Sequence, residues 1–527
     1  MQIPGHLHSL CVSLPYQADP LRLQQQLCGN RAHNLLLESA EIDSKQSLKS
    51  LLMVDASLQL ECHGNRVRIT ALTANGAQLL PWLANAFKQQ RVDQQDDSLT
   101  LMFTIPATTL NEDQRLRAEA NDAPLRLLQQ GLTTSNDHPL AVFLGGVFGY
   151  DYIATFETLP EVPAGANQCP DYLFYLAETL LITDHQTQTT ELLASVLSGP
   201  SYQQEVERLS QRVGELAARA QLVITVAAPQ KASAVPTDFS AVEALPSRAD
   251  YHQIVERMQQ HIDQGDIFQV VPARQFRLAC HDPRAAYAAL KQANPSPYMF
   301  LLTAADFHLF GASPESALKY TATTNQVELY PIAGTRPRGK RPDHSIDHDL
   351  DSRLELELRM DQKELAEHLM LVDLARNDLA RIAIPGSRHV ADLLKVDRYS
   401  HVMHLVSRVV AQLAPDLDAL HAYRACMNMG TLVGAPKLKA AQLIRTAEGQ
   451  RRGSYGGAVG YLAGNGDMDT CIVIRAAYVQ HGQALVQAGA GVVHDSVATA
   501  ETAETEAKAS AVIQAIQTAE RSLRGEV

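Results

Sequence analysis

Two pairs of glutamates, each with a Glu-x-x-Glu spacing, are the residues of this chain best placed to do chemistry together. They are Glu364 with Glu367, in Glu364-Leu-Ala-Glu367-His368, and Glu501 with Glu504, in Glu501-Thr-Ala-Glu504. Both segments predict helix, and residues three apart on a helix project from nearly the same face. If the two helices face each other, four carboxylates converge, and an oxygen-only cluster suits a hard divalent cation such as Mg²⁺.

The sequence just before the second pair favours a ligand beside these carboxylates. Ala488-Gly-Ala-Gly491 has almost no side chain, so a bound molecule could approach the backbone closely. A cation next to exposed backbone amides could hold an anionic substrate. The spacing alone leaves a second interpretation open, because a Glu-x-x-Glu pair on a helix is usually a solvated face.

The composition excludes several classes of function. The chain has 527 residues, of which 46% are hydrophobic and 20% are charged, an ordinary balance for a globular protein. Its net charge of -13 disfavours nonspecific binding to nucleic acid or to anionic membranes, since both require excess positive charge. Anionic small molecules are not excluded, because they respond to local charge.

The cysteines and the N-terminal sequence predict a soluble cytoplasmic protein. The 7 cysteines are scattered and form no Cys-x-x-Cys pair, so neither a disulfide framework nor a zinc ribbon is expected. The N-terminal sequence lacks a cationic segment followed by a continuous apolar run, and a signal peptide is not expected. No stretch approaches the ~18 apolar residues that a membrane-spanning helix needs.

The elements that must position the glutamates belong to the second of two predicted regions. A segment rich in Ala, Pro and Ser over residues 226–247 predicts a linker between an N-terminal region, 1–225, and a C-terminal region, 248–527. In the C-terminal region, helices are predicted over Arg248–Asp263, Asp361–Ile382 and Ala500–Leu523, of which the last two contain the glutamate pairs.

The predicted strands indicate the fold class. In the C-terminal region they include Ile267–Arg277, Met299–Thr303, His308–Ala312, Tyr399–Leu413, Ser454–Leu462, Thr470–Val479 and Ala484–Ala490. Most of these strands follow other strands rather than alternating with helices. We therefore expect an α+β fold in which large antiparallel β-sheets pack as a sandwich, with helices on the outer faces.

Searches for commoner catalytic motifs are negative. The sequence contains no G-x-x-x-x-G-K-[ST], H-E-x-x-H or G-x-S-x-G segment. Leu144-Gly-Gly-Val-Phe-Gly-Tyr150 is rich in glycine but does not match G-x-G-x-x-G, and close backbone packing is its favoured interpretation. A dinucleotide-binding domain therefore has no support.

A series of ordered motifs in the C-terminal region resembles the chorismate-utilising enzymes. The motifs are Asp266-Ile-Phe-Gln-Val-Val-Pro-Ala-Arg274, Gly311-Ala-Ser-Pro-Glu-Ser316, Pro331-Ile-Ala-Gly-Thr-Arg336, Lys363-Glu-Leu-Ala-Glu-His-Leu-Met-Leu-Val-Asp-Leu-Ala-Arg-Asn-Asp378, Gly434-Ala-Pro-Lys437, Tyr455-Gly-Gly-Ala-Val-Gly460 and Ala488-Gly-Ala-Gly491. Chance agreement at so many ordered positions is negligible. Within the family, the chain resembles the large, chorismate-binding subunits of anthranilate synthases.

The resemblance implies a reaction and the residues that perform it. Chorismate would be aminated at C2 by ammonia and would then lose pyruvate to give anthranilate, the first committed step of tryptophan biosynthesis. Glu315 would be the general acid that protonates the departing C4 hydroxyl, and His404 the base that removes the C2 proton. Thr335 would hydrogen-bond the ring substituents.

The resemblance also implies the residues that bind the ligands. Mg²⁺ would be held, directly or through water, by Glu364, Glu367, Glu501 and Glu504. Chorismate would be held by Gly334, Thr335, Tyr455, Arg475, Gly489, Gly491 and Lys508, with Arg475 suited to clamping a carboxylate. His368 is expected to lie next to the metal site without coordinating the ion, because Mg²⁺ prefers oxygen ligands. The segment before Glu501 lacks a proline expected in the related pattern, so an altered turn is expected there.

Two positions distinguish the ammonia-using reaction from its relatives. Gln269 stands where the water-using isochorismate and salicylate synthases carry a lysine that activates water, and an amide cannot act as that base. Ala333 stands where aminodeoxychorismate synthases carry a lysine that can attack the ring, which alanine cannot do. An aminodeoxychorismate synthase subunit, or a silent regulatory subunit that binds tryptophan or chorismate, is the alternative.

Two further expectations follow from the resemblance. A tryptophan feedback site would be formed by Glu38, Ser39, Lys49, Pro297, Tyr298 and Met299. These segments could supply partners for an ammonium group and a carboxylate, and an apolar slot for indole. The sequence contains no Gly-x-Cys-x-Gly segment of a glutaminase. A separate glutamine amidotransferase partner is therefore expected to supply ammonia, in an assembly with two copies of each subunit.

Overall fold

The computed structural model describes residues 5–40, 47–104, 110–135, 138–222, 237–341, 345–399 and 402–525. Within these ranges, β-strands form large antiparallel sheets that helices cover, which confirms the predicted fold class. No helix of the described part is long and apolar enough to cross a bilayer.

The strands are numbered β1 to β25 in chain order. They are His6–Leu14, Asn34–Ala40, Ser47–His63, Arg66–Ala71, Arg91–Gln94, Ser98–Met102, Thr133–Thr134, Phe143–Phe148, Tyr172–Asp184, Thr189–Leu197, Glu243–Leu245, Gln269–Val270, Ala273–Ala279, Tyr298–Thr303, His308–Ser313, Ser316–Thr321, Gln326–Leu329, Ile332–Pro337, His389–Arg398, Val402–Gln412, Gly434–Ala435, Ala458–Ala463, Met468–Ile472, Ala476–Gln480 and Gln483–Gly489.

The α-helices are numbered α1 to α14. They are Pro20–Cys28, Ala74–Ala77, Leu80–Ala86, Glu112–Arg117, Ala123–Gly131, Tyr202–Gln221, Arg248–Asp263, Pro283–Ala293, His348–Met360, Gln362–Ala380, Ala419–Cys426, Gly430–Val433, Lys437–Glu448 and Ala498–Leu523. Two 3₁₀ turns, Tyr150–Thr155 and Ala322–Thr324, complete the described elements.

Both faces of the central strands are buried, because successive side chains along a strand point to opposite faces. Leu35 of β2 and Leu51 of β3 belong to a core formed mainly by strand residues. Their neighbours Leu36 and Leu52 belong to a second core, which also contains residues of α1, α6, α8 and α14. Helices thus cover the outer face of a sheet whose inner face packs against other strands.

The two predicted regions share this sheet system. β2 of the N-terminal region pairs with β14 of the C-terminal region, and β8 pairs with β22, both antiparallel. Residues 226–236 of the predicted linker lie outside the described residues. Its C-terminal end contains β11, which pairs with β13. Strands of the first region therefore help to hold the strands that carry the predicted site.

The helices that carry the glutamate pairs begin close to where the sequence predicts. The first turn of α10 is capped by Asp361, whose carboxylate accepts hydrogen bonds from the backbone N–H groups of Lys363 and Glu364. α14 begins at Ala498, one turn before Glu501, and no side chain caps it. In the turn before it, Ser496 Oγ accepts a hydrogen bond from the Val493 N–H at 3.0 Å.

Two predicted strands are wrong as single elements. Thr470–Val479 is divided into β23 and β24, and Arg475, just before β24, has a φ of 49°. Ile267–Arg277 is divided into β12 and β13 around Pro272, because proline has no N–H to donate to a ladder. A positive φ is uncommon for a residue other than glycine and is concentrated at functional sites. The strand at Arg475 is therefore broken at a residue to which the sequence assigns a binding role.

Candidate active site and effector cavity

Glu315 lies in the turn between β15 and β16 with its carboxyl group buried. Its side chain is 6% exposed, and Thr431 Oγ1 donates a hydrogen bond to Glu315 Oε1 at 2.9 Å. Burial raises the pKa of Glu315 to about 8, against the opposing effects of that hydrogen bond and of the Lys508 and Arg475 charges. The carboxyl group is therefore protonated at neutral pH and can act as an acid.

His404 lies on β20, opposite Thr335 of β18. Its Nδ1 is 2.9 Å from Thr335 Oγ1 and 3.2 Å from the Gly334 carbonyl oxygen, and the Tyr399 ring packs edge-on against it with 5.2 Å between centroids. Burial lowers the pKa of His404 to about 4, and the Arg475 charge adds to this effect. The imidazole is therefore neutral at neutral pH. A proton on Nδ1, facing the carbonyl, leaves Nε2 free to accept another.

Two cations act on the same pocket. Lys508 Nζ donates a hydrogen bond to the Gly489 carbonyl at 3.0 Å and lies 2.5 Å from Glu504 Oε1. The Arg475 guanidinium forms no hydrogen bond or ion pair within the described ranges of the chain. Burial lowers the pKa of Arg475 although Tyr455, Glu504 and Glu315 favour its charge. Arg475 is half-buried and its guanidinium is not paired with an acidic side chain of the described residues, so it is available for a substrate carboxylate.

Two glycines allow the backbone to approach these side chains. A Cβ atom at Gly489 would lie 3.1 Å from the Tyr455 hydroxyl, and one at Gly491 would lie 2.7 Å from Gln269 Nε2 and 3.3 Å from Glu367 Oε1. Tyr455 is buried, and burial raises the pKa of its hydroxyl to about 12. The segment after β25 therefore lies between a neutral phenol and the first glutamate pair.

The glutamates of the two pairs already have partners in the chain. Glu364 Oε1 accepts a hydrogen bond from Arg336 Nη1 at 3.0 Å, and Glu367 Oε1 accepts one from Gln269 Nε2 at 2.7 Å. Glu504 pairs with Lys508, as described above. Among the residues that the structure describes, no three His, Cys, Asp or Glu side chains are spaced to hold one metal ion. Binding of a cation would therefore require some of these side chains to turn.

The donor set nevertheless fits a hard cation. Burial raises the pKa of Glu367, and the charges of Glu364 and Glu504 raise it further. Burial also raises the pKa of Glu501, and the Glu504 charge contributes. The carboxylates of the two helices therefore destabilise one another. A bound Mg²⁺ would relieve this repulsion and would find the oxygen donors that it prefers.

The sequence assigned no role to two residues that contact the site. Arg336 bridges Glu364 and Asp361, at 3.0 Å and 2.5 Å. Arg336 is the last residue of the Pro331–Arg336 motif, and this position could have indicated its role in the site. No motif of the sequence indicated a role for Thr431, which contacts Glu315.

His368 is fully buried, and its Nε2 lies 2.7 Å from Ser407 Oγ on β20.

A second cavity, of about 500 Å³, contains part of the predicted effector site, and we call it the effector cavity. Ser39, Pro297 and Tyr298 line it. The charged residues of its lining are Asp392, Asp397, Asp469, Lys319, Lys395 and Arg408. Its other lining residues are Ala40, Leu48, Pro314, Ser316, Tyr330, Ile332, Tyr399, Val406 and Ser407. The lining thus combines both signs of charge with apolar and aromatic surface.

The remaining predicted effector residues do not line this cavity. Glu38 points to the opposite face of β2 from Ser39, where it pairs with Lys291 and accepts a hydrogen bond from the Tyr287 hydroxyl at 2.6 Å. Met299 is buried in the core beneath the helices. Lys49 lies opposite Ser39 across the β2–β3 ladder, and the Lys49 carbonyl oxygen accepts a hydrogen bond from Ser39 Oγ at 3.3 Å. The side chain of Lys49 is exposed.

Comparisons with known proteins agree over most of the chain. The family model described as chorismate binding enzyme matches residues 82–514. Anthranilate synthase component 1 of Vibrio parahaemolyticus is 56% identical over 516 residues, which cover 98% of this chain and 94% of that protein. The component 1 of Escherichia coli is 56% identical over 505 residues, 96% of each chain.

A solved structure is similar as well. Anthranilate synthase component I from Streptococcus pneumoniae has 26% sequence identity and a TM-score of 0.65. The match covers 90% of this chain and 94% of that one. The similarity therefore extends over both predicted regions.

Proposed function

Since the chain belongs to the chorismate-binding enzyme family and, within it, to the anthranilate synthase component 1 proteins, we propose that it converts chorismate and ammonia to anthranilate and pyruvate. The opposite protonation of two groups in one pocket is the observation that supports this most. Glu315 has a pKa of about 8 and His404 a pKa of about 4, both shifted mainly by burial. The pocket therefore holds an acid and a base that are both in their active forms at neutral pH.

The acid serves the first half-reaction. Glu315 donates its proton to the C4 hydroxyl of chorismate, which leaves as water while ammonia attacks C2 and the ring double bonds shift. The carboxylate that remains on Glu315 can take the proton that the new ammonium group must lose. Thr431 holds this carboxyl group in position from the protein side.

The base serves the second half-reaction. Nε2 of His404 removes the proton from C2, the bond between C3 and the enolpyruvyl oxygen breaks, and the ring becomes aromatic. The enolpyruvate that leaves takes up a proton to become pyruvate. Thr335 and the Gly334 carbonyl fix the imidazole through Nδ1.

The two cations and the glycine segment bind the anionic end of the substrate. Arg475 can clamp a carboxylate with two hydrogen bonds, and the Tyr455 hydroxyl is near enough to interact electrostatically with it. Lys508 contributes a second positive charge near Gly489. Without a side chain at Gly489 or Gly491, the substrate can come close to the backbone amides.

We propose that Glu364, Glu367, Glu501 and Glu504 hold Mg²⁺, directly or through water. When bound, the ion supplies a positive charge that attracts and orients the ring carboxylate of chorismate. The chain's own contribution is to hold these carboxylates at the ends of α10 and α14. Arg336 and Gln269 are the partners from which Glu364 and Glu367 must be released.

Two residues favour ammonia over the alternatives. Gln269 is 2% exposed, and its amide donates to Glu367, so this position offers no base for the activation of water. Ala333 precedes Gly334 on β18, and its methyl group cannot attack the ring. These residues argue against an isochorismate synthase activity and against the alternative assignment as an aminodeoxychorismate synthase subunit.

A partner is part of the proposal. The name component 1 of the relatives implies a second component, and we propose a glutamine amidotransferase that releases ammonia to this pocket, in a heterotetramer with two copies of each subunit. We place the protein in the cytoplasm, because all seven cysteines are free thiols, as expected in a reducing compartment.

We propose that tryptophan occupies the effector cavity and inhibits the reaction. The cavity has acidic and basic side chains for the ammonium and carboxylate of an amino acid, and its Tyr298, Tyr330 and Tyr399 offer surface for an indole ring. Its volume of about 500 Å³ is in the range of small-molecule sites.

The test is a product analysis. The purified chain is incubated with chorismate, Mg²⁺ and an ammonium salt at mildly alkaline pH, and the products are separated. We expect anthranilate and pyruvate in equal amounts. Isochorismate or aminodeoxychorismate would assign the pocket to another branch of the family, and binding of tryptophan or chorismate without turnover would assign the chain to a regulatory role.

A further inference from the structure

The effector cavity and the catalytic pocket share a wall. Pro314 and Ser316 line the cavity, whereas the side chain of Glu315 between them is bonded to Thr431 in the pocket. Tyr399 also lines the cavity, and its ring packs against His404. A ligand in the cavity therefore contacts the other side of the backbone that positions the acid and the base.

Ser407 is the most buried polar residue of this wall. It lies on β20 and is 0% exposed. Its Oγ lies 2.7 Å from Nε2 of His368 and accepts a hydrogen bond from the Leu394 N–H at 3.0 Å. His368 is the residue after Glu367 on α10. One hydroxyl group therefore joins β19, β20 and the helix that carries the first glutamate pair.

The strand on the cavity side of Ser407 is irregular. The register between β19 and β20 shifts between Asp392 and Lys395, and Leu394 within this bulge has a φ of 56°. The bulge disrupts the regular ladder here, and the Leu394 N–H is bonded to the Ser407 hydroxyl. A strained backbone that depends on one side-chain acceptor can adopt a second arrangement when that contact is lost.

The residues on either side of the bulge face the cavity in ion pairs. Asp392 pairs with Arg408 at 2.7 Å, and Lys395 pairs with Asp397 at 3.4 Å. An amino acid brings an ammonium and a carboxylate of its own, which compete for these partners. Binding in the cavity therefore acts first on the two residues that flank Leu394.

We propose that Ser407 is a positioning residue that couples the effector cavity to the carboxylate helix α10 through His368. The proposal rests on the proposed effector role of the cavity. A zwitterionic ligand that takes over the ion pairs of Asp392 and Lys395 moves the bulge and weakens the contact of Leu394 with Ser407. His368 and the adjacent Glu367 then lose their placement, so that effector and substrate each weaken the binding of the other.

The experiment measures this coupling by binding, with no turnover. The dissociation constant of tryptophan for the full chain is determined by calorimetry, first alone and then with saturating chorismate and Mg²⁺, without any source of ammonia. For the wild type we expect chorismate to weaken tryptophan binding by about tenfold, a typical coupling between two sites. For Ser407→Ala we expect a ratio below about twofold.

Three further variants separate coupling from binding and from folding. Ser407→Thr keeps the hydroxyl group and should retain most of the wild-type ratio. Ser407→Cys keeps the size of the side chain but has only a weak acceptor, so its ratio should fall as in Ser407→Ala even if the alanine variant does not fold. Ser39→Ala, which changes a lining residue on β2 rather than on β19 or β20, should weaken tryptophan binding and leave the ratio unchanged.

The outcomes distinguish the two proposals. A wild-type ratio in a folded Ser407→Ala or Ser407→Cys protein overturns the coupling role while leaving the effector site in place. If the wild type itself does not bind tryptophan, the effector role fails and the coupling role fails with it.

Discussion

The catalytic pocket and the effector cavity differ in how their charges are balanced. Within the described residues, Arg475 of the pocket has no ion-pair partner, and burial together with neighbouring carboxylates raises the pKa of Glu367. In the cavity, Arg408 and Lys395 each have an acidic partner. An anionic substrate can therefore bind Arg475 without displacing an ion-pair partner, whereas a ligand of the cavity must displace contacts that already exist.

This difference suits the proposed tasks of the two sites. An unpaired guanidinium such as that of Arg475 gains free energy from a carboxylate ligand without first losing an ion pair of its own, which favours substrate binding. A site whose own ion pairs must open couples ligand binding to a change in the surrounding strands, as an effector site requires. The predictions below test this comparison, from the largest expected effect to the smallest.

Loss of the buried acid should have the largest effect and should leave the cavity untouched. Glu315→Gln keeps the shape of the side chain but cannot protonate the leaving hydroxyl. We expect kcat to fall about 10²- to 10⁴-fold, the usual contribution of a general acid. Calorimetry should show tryptophan binding within about twofold of the wild type. A variant with wild-type kcat would remove Glu315 from the reaction.

Loss of one carboxylate tests whether the pocket binds a cation, as the comparison with the cavity requires. Glu364→Gln removes one negative charge from the cluster, and we expect the apparent affinity for Mg²⁺ to fall about 10- to 100-fold. A titration of activity against Mg²⁺ measures this, and tryptophan binding without Mg²⁺ is the control. A variant that reaches half of its maximal activity at the same Mg²⁺ concentration as the wild type would contradict the metal assignment.

Replacement of the unpaired guanidinium tests whether it is a geometric clamp or only a charge. Arg475→Lys keeps the positive charge and loses the planar pair of donors, so we expect KM for chorismate to rise about tenfold, a loss of roughly 1.4 kcal/mol. A lysine at position 475 would also have to adopt the positive φ that Arg475 has. An unchanged KM would mean that the substrate carboxylate binds elsewhere.

The smallest effect is expected in the cavity. Ser39→Ala removes a hydroxyl from the cavity lining, and the loss of one neutral hydrogen bond should weaken inhibition by tryptophan about 2- to 10-fold. Turnover without tryptophan should stay close to the wild-type rate, because the Ser39 hydroxyl is bonded to the Lys49 carbonyl rather than to a catalytic residue. Inhibition curves for anthranilate formation measure both quantities. Unchanged inhibition would mean that tryptophan binds outside this cavity.

The sequence predicted the elements of the pocket better than those of the cavity. Of the pocket's helices, α10, Gln362–Ala380, lies within the predicted range Asp361–Ile382, and α14 begins within one turn of its predicted start. β19 was not predicted. Only two of its ten residues are buried and its pairing with β20 shifts register twice, so its sequence shows no alternation of apolar and polar residues.

The same contrast holds for single residues. Resemblance placed Glu38 and Ser39 in one site, but neighbours on a strand face opposite sides, and only Ser39 lines the cavity. The contact between Ser407 and His368 depends on how β20 packs against α10, which no local pattern reports. The strand break at Arg475 arises from its left-handed backbone, and the apolar run around it predicts continuous strand instead.

The opposite protonation of Glu315 and His404 is tested most directly by the pH dependence of kcat/KM for chorismate, with the concentration of free ammonia held constant. Glu315 must be protonated to act, so the rate should be retained below pH 8 and fall about tenfold per unit above it. His404 must be neutral, so the rate should fall only as the pH approaches 4. A rate that still rises beyond pH 9, or that already falls below pH 6.5, would contradict this account.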